Sequence, residues 1–166
     1  MNPPSMNPPC MPRELIASPV FLLGRLGFGL KKQAAEELEA AGFSLYDYSV
    51  MALLAEQPSE AQASIADLLK LDRSQLVGLL DGLEERRLVE RRRDPTDRRR
   101  HSVSLTPDGY RQLERIRTVI KRLEEEFLAP LDPESREQLH ALLVRIACHH
   151  DTRFITPPVT EAAGVT

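Results

Sequence analysis

"LDRSQLVGLLDGLEERRLVERRRDPTDRRRHSVSLTPDG", residues 71–109, carries a helix start, a helix, two short strands and the start of another helix. Asp72 is followed three residues on by Gln75, the reciprocal pairing in which each side chain satisfies the other's free backbone N–H at a helix start. The helix so opened covers "RSQLVGLLDGLEERR". After Arg87, "LVERRR" and "HSVSLT" are strand-like, and the second alternates Val103 and Leu105 with Ser102 and Ser104. "DPTDRR" between them has the Asp and Pro of a turn, so the two segments form a two-stranded hairpin. Thr106 and Pro107 then supply an N-cap and a first-turn proline.

Immediately upstream, "SIADLLKL" at residues 64–71 is a short helix. Two helices separated by so little form a helix-turn-helix, and the hairpin behind them makes it winged. In that arrangement the second helix enters the DNA major groove, while the wing runs along the backbone or into the minor groove. The charge fits. From Arg86 to His101 there are eight arginines against Glu90, Asp94 and Asp97, a local +5 in a chain of net charge −3, so the remainder carries −8. A charge run is more often a solvated face than a binding site, and it is placement that favours binding here. Arg98, Arg99 and Arg100 follow the hairpin turn, where guanidinium groups can enter a narrow, negative groove. Asp97 holds the loop in shape by pairing with an arginine. Arg91, Arg92 and Arg93 alternate in direction along a strand, so not all of them can face DNA. At the start of the second helix Arg73, Ser74 and Gln75 are the residues placed to read base edges.

Further outward, "SLYD" from Ser44 to Asp47 is a capping box opening an apolar helix through Met51 and Leu54, followed by a loop, "EQPSEAQA". Ser18 and Pro19 open a long first helix that ends at Gly42, where glycine can take the left-handed conformation. Its Gly24, Gly27 and Gly29 weaken it by about 1 kcal/mol each against alanine, which fits close approach of another helix or a ligand as well as it fits simple tolerance. After Pro107, Leu113, Ile116, Ile120, Leu123 and Phe127 recur at spacings of 3 and 4, the narrow seam of a helix-helix contact. "DPES" opens a last helix with Leu139, Leu142, Leu143 and Ile146 on one face.

The expected fold class is thus mostly α (α+β): a Pro-rich tail over 1–17 with nothing to pack and expected to be disordered, a dimerisation helix over 18–43, a winged helix-turn-helix over 44–106, C-terminal dimerisation helices over 107–150 and a tail over 151–166. Met6 and Met11 are further candidate starts. No apolar run approaches the roughly 20 residues of a membrane helix, and "PVFLLG" is too short for a signal-peptide core, so the expected location is the cytoplasm. Cys10 and Cys148 are too few for a disulfide framework. No phosphate-cradling glycine loop, nucleophile elbow or metal-ligand spacing occurs, which argues against an enzyme, a metal site or a cofactor.

From about Leu15 to His149 the sequence resembles the MarR-type transcriptional regulators, most closely over residues 71–109, including an Asp-x-Arg motif that is Asp97 and Arg99 here. The resemblance implies a triangular homodimer with entwined first and last helices, each subunit offering a winged helix to half of a pseudo-palindromic operator. It further implies a repressor that lets go when a small phenolic or otherwise anionic effector binds, or when a cysteine is oxidised. Arg25, Phe28, Tyr46, Tyr48 and Met51 are candidates to line the effector pocket, with Arg25 suited to a carboxylate. Tyr48 and Met51 fit the core better than the pocket.

The recognition helix departs from the family in carrying Val77, Gly78 and Gly82 where Thr or Arg would face the groove, which shifts specificity toward the wing. The cysteines depart too, because neither lies in the first helix where oxidation-sensing members carry theirs. "CHHD" invites a metal, but adjacent helix residues point about 100° apart. The rival readings are a winged-helix protein–protein interaction module and a thiol-based redox regulator; RNA binding lacks an aromatic stacking platform.

Overall fold

The computed structural model describes residues 10–57, 60–93 and 101–155. The chain is mostly helical. A short helix α1 (Arg13–Ile16) precedes α2 (Pro19–Ala40) and α3 (Leu45–Glu56); strand β1 (Glu60–Ala61) leads into α4 (Gln62–Leu69) and α5 (Arg73–Glu85); β2 (Val89–Arg93) and β3 (His101–Leu105) follow, then α6 (Pro107–Phe127), α7 (Pro133–His150) and a 3-10 turn over Thr152–Phe154.

The helix starts form as the sequence dictates. Ser18 Oγ accepts from the Phe21 N–H at 3.3 Å, and Thr106 Oγ1 accepts from Gly109 N–H at 3.0 Å. Ser44 and Asp47 close a capping box, with N–H to side-chain oxygen distances of 3.0 and 2.7 Å. Gly109 has a second duty. It lies against the Leu88 carbonyl so closely that a Cβ there would collide with backbone, which locks the start of α6 to the start of β2.

Three helix ends are of one kind. α2, α4 and α5 each close with a 6→1 backbone bond, Phe43 to Leu38 at 2.8 Å, Leu71 to Ala66 at 3.0 Å and Leu88 to Leu83 at 2.9 Å. Each closure needs a left-handed residue, and these are Gly42 (φ 78°), Lys70 (φ 51°) and Arg87 (φ 58°). All six bonded residues are buried, so each cap is also a core contact.

The sheet is three-stranded and antiparallel in the order β1-β3-β2, with Arg91 opposite Val103 and Glu60 opposite Val103 on the other side. The hairpin expected to have two strands therefore gains a third. β1 has two residues inside the segment expected to be a loop, too short to show an alternating pattern. Two further departures fall where tails were expected: residues 13–16 are helical and residues 152–154 form a 3-10 turn.

The core lies between α3, the helix-turn-helix pair, the sheet and α6, with Leu38, Val50, Met51, Leu54, Ile65, Leu80, Leu83, Val103 and Leu113 at or near complete burial. The apolar seam of α6 faces inward: Leu113, Ile116 and Leu123 are buried in their own chain against α2 and α3, and Arg122 Nη2 reaches Glu37 Oε2 at 2.7 Å. The chain itself thus covers much of this seam, while Ile120 and Phe127 remain partly exposed. α7 differs. It buries no residue, and Leu142, Leu143, Val144 and Ile146 remain 40–53% exposed.

Candidate nucleic-acid interface

The α4–turn–α5 unit holds its shape through Asp72. Its carboxylate accepts from the Gln75 N–H at 2.8 Å and from the Ser74 hydroxyl at 2.6 Å, and its own N–H donates to Gln75 Oε1 at 3.4 Å. The Ser74 hydroxyl, and then the Gln75 N–H, hold the Asp72 carboxyl below its ordinary pKa of 3.8. Of the three candidate base readers, Ser74 and Gln75 are thus partly engaged in the cap, while Arg73, Ser74 and Gln75 are all exposed at the start of α5.

Leu76, Leu80 and Leu83 fix which face of α5 turns inward, which leaves Ser74, Val77, Gly78 and Asp81 outward. The arginines nearby are mostly committed to the protein. Arg91 is folded back across α5, with Nη2 2.6 Å from Asp81 Oδ1 and 3.4 Å from the Val77 carbonyl, and with Nε 3.7 Å from Glu84 Oε2. Arg92 pairs with Glu90 at 2.9 Å, and the Arg86 guanidinium stacks 4.0 Å over the Phe43 ring. The sequence alone could not assign the partners of Arg91 and Arg86, because they lie on other elements; Arg92 and Glu90 share β2. Asp97, Arg98, Arg99 and Arg100 lie outside the described residues.

The five residues considered for an effector pocket are not gathered into one place in the chain. Arg25 and Phe28 are exposed on α2, Phe28 at 68%, and Tyr46 is exposed on α3. Tyr48 packs half-buried against the core, and Met51 is completely enclosed in it. A cavity of about 400 Å³ opens instead where α2 ends and α3 begins, lined by Ala35, Glu39, Phe43, Leu45 and Asp47 among others.

At the far end of α7 the Cys148 thiol donates to the Phe154 carbonyl at 3.2 Å, and His149 and His150 meet edge to face with ring centroids 5.1 Å apart. Asp151 is occupied. Arg153 and Lys70 both pair with it, and the Arg153 hydrogen bond, the larger effect, holds its carboxyl far below the usual range. Among the described residues no group of three or more His, Cys, Asp and Glu is placed to hold a metal ion, and no helix is long and apolar enough to cross a membrane.

A capped helix pair whose second helix turns a polar edge outward beside an antiparallel hairpin defines the winged helix-turn-helix class. Residues 43–101 match the model of the MarR family. A putative transcriptional regulatory protein for the hcr operon of Thauera aromatica is 32% identical over 133 residues, spanning 75% of this chain and 80% of the relative. A MarR-family regulator from Rhodococcus sp. RHA1 has the same fold, with a TM-score of 0.68 at 32% identity over 77% of this chain and 91% of that one. CouR from Rhodococcus jostii RHA1, solved bound to p-coumaroyl-CoA, gives a TM-score of 0.68 at 28% identity, covering 82% of this chain and 96% of CouR. The chain belongs to the MarR family of transcriptional regulators, which are not enzymes.

Proposed function

We propose that the chain acts as a homodimer that binds a pseudo-palindromic operator in double-stranded DNA and represses transcription until a small-molecule effector releases it. The observation that carries this reading is the exposed, polar-edged start of α5, held by the Asp72 cap beside the β2–β3 hairpin. Arg73, Ser74 and Gln75 meet the major groove, Arg98, Arg99 and Arg100 supply the wing's contacts to phosphate and minor groove, and Asp97 steadies the wing. Arg86, Arg91 and Arg92 have partners within the chain, and the reading assigns the DNA-facing charge to Arg73 and the 98–100 cluster.

Dimerisation is supported by the apolar side chains that a single subunit leaves uncovered: Val20, Leu26 and Phe28 on α2, 51–81% exposed, and the α7 row from Leu142 to Ile146. The effector in this reading is a small phenolic or otherwise anionic molecule. Arg25, Phe28 and Tyr46 are exposed on α2 and α3, where such a molecule could meet them, whereas Met51 is committed to the core. An Arg25→Ala variant that still binds DNA but no longer releases it on adding p-coumaroyl-CoA would support this assignment; unchanged release would remove it.

The test of the DNA reading is binding to the duplex upstream of the chain's own gene as salt is raised. Wild type should lose affinity steeply, and an Arg98→Ala, Arg99→Ala double variant should bind weakly with a salt slope shallower by about 1 per lost arginine. Equal, salt-insensitive behaviour of both proteins would reject the reading.

A further inference from the structure

We propose that Val77 is a specificity-determining residue that reads the C5-methyl group of a thymine in the major groove. The inference rests on the reading of α5 as the recognition helix.

All residues of α5 are described, and the helix leaves one large apolar side chain exposed, Val77, at 43%. Its position is fixed twice over. A β-branched side chain in a helix is held to one χ1 rotamer, so its two methyls point in a set direction. The Val77 carbonyl also accepts from Arg91 Nη2 at 3.4 Å, pinning this turn of the helix to β2. The same guanidinium lies 2.6 Å from Asp81, one turn further along, and so offsets a carboxylate that would otherwise repel phosphate.

The neighbours of Val77 leave it the apolar contact on this edge, beside the polar Arg73, Ser74 and Gln75. Ser74 donates to Asp72, and Gln75 Oε1 accepts from the Asp72 N–H, so both polar side chains at the helix start spend part of their capacity on the cap. Gly78 adds no bulk: a Cβ there would meet nothing within 4 Å, so no clash inside the chain calls for glycine. It nonetheless weakens the helix against alanine. Bare backbone beside a fixed valine lets the helix settle close to the groove floor. The base-edge feature in the major groove that takes an apolar contact is the thymine methyl.

The test uses duplexes that the full-length protein itself selects from a random pool. In these, each thymine is replaced one at a time by deoxyuridine, which removes only the methyl group. Wild type should bind about fourfold more weakly for each such thymine replaced, the effect expected of one buried methyl, and about 16-fold more weakly when one thymine in each of the two half-sites is replaced. Val77→Ala should bind thymine and uracil duplexes alike at that position, and Val77→Thr, which keeps one methyl, should retain part of the discrimination. The melting temperatures of the free variants should stay close to wild type, because the side chain is exposed. If no uracil replacement weakens wild type, or if Val77→Ala keeps the full thymine preference, Val77 does not read a methyl although the protein binds DNA. If wild type selects no duplex from the pool, the DNA reading fails and takes this inference with it.

Discussion

Arg91 shows that an arginine in a basic run can be structural. The six arginines of residues 91–100 look alike in the sequence. Arg91, however, is only 18% exposed and bridges Asp81, Glu84 and the Val77 carbonyl. Arg91→Ala should destabilise the fold by about 1–2 kcal/mol, because it removes charge-assisted bonds. It should also weaken DNA binding by leaving Asp81 and Glu84 uncompensated, and a denaturation series with the Asp81→Ala and double variants should reveal coupling between the two residues. Additive effects would mean that the pair contributes nothing. The capping aspartates set the response to acid. The Ser74 hydroxyl at Asp72 and the Ser135 N–H at Asp132 hold both carboxyls below the ordinary 3.8, so the folded state favours the ionised form. Their stabilisation is complete above that value and is lost as pH falls through the lower folded-state values. Melting temperature should therefore fall on acidification below 3.8, and Asp72→Asn should blunt the fall. A melting temperature that is flat or rising over that range would contradict the account.

The starts of elements were more legible in the sequence than their ends. Ser18, Ser44, Asp72, Thr106 and Asp132 are all N-caps, each a residue type whose side chain serves that role. The ends of α4 and α5 give no such signal, because Lys70 and Arg87 occupy the left-handed position that glycine marks at the end of α2. Arg87→Gly should relieve that conformation and raise stability by about 0.5–1 kcal/mol; a loss of stability would show that the Arg87 side chain matters more than its backbone. The two-residue β1 was invisible for a different reason, since pairing with β3 rather than any local preference creates it. The seam of α6 was visible but its partner was not: periodicity identifies an apolar face, and only the three-dimensional arrangement of α2 and α3 shows what covers it. The candidate site divides likewise. Arg73, Ser74 and Gln75 follow from the helix start, whereas the tethering of Arg91 and the full burial of Met51 depend on contacts between distant elements.

For the molecule as a whole, the unequal burial of its helices is the feature that most needs a partner. α3 and α6 contribute to the core, whereas α7 and the first half of α2 leave apolar side chains in solvent. A second copy of the chain would cover them, and a two-fold axis would set two α5 helices about one DNA turn apart, roughly 34 Å. Leu142→Glu combined with Ile146→Glu should leave the subunit folded, because neither side chain is buried in it. Sedimentation should then find monomers, and operator affinity should fall by orders of magnitude as the second half-site contact is lost. A dimer that persists in this variant would place the interface elsewhere. The most direct measurement is the mass of the complex between the purified protein and an operator duplex, taken by native mass spectrometry. The account predicts two chains per duplex for wild type, and no such complex for the α7 variant at the same concentration. A complex of one chain per duplex, or wild type that binds no duplex, would contradict it.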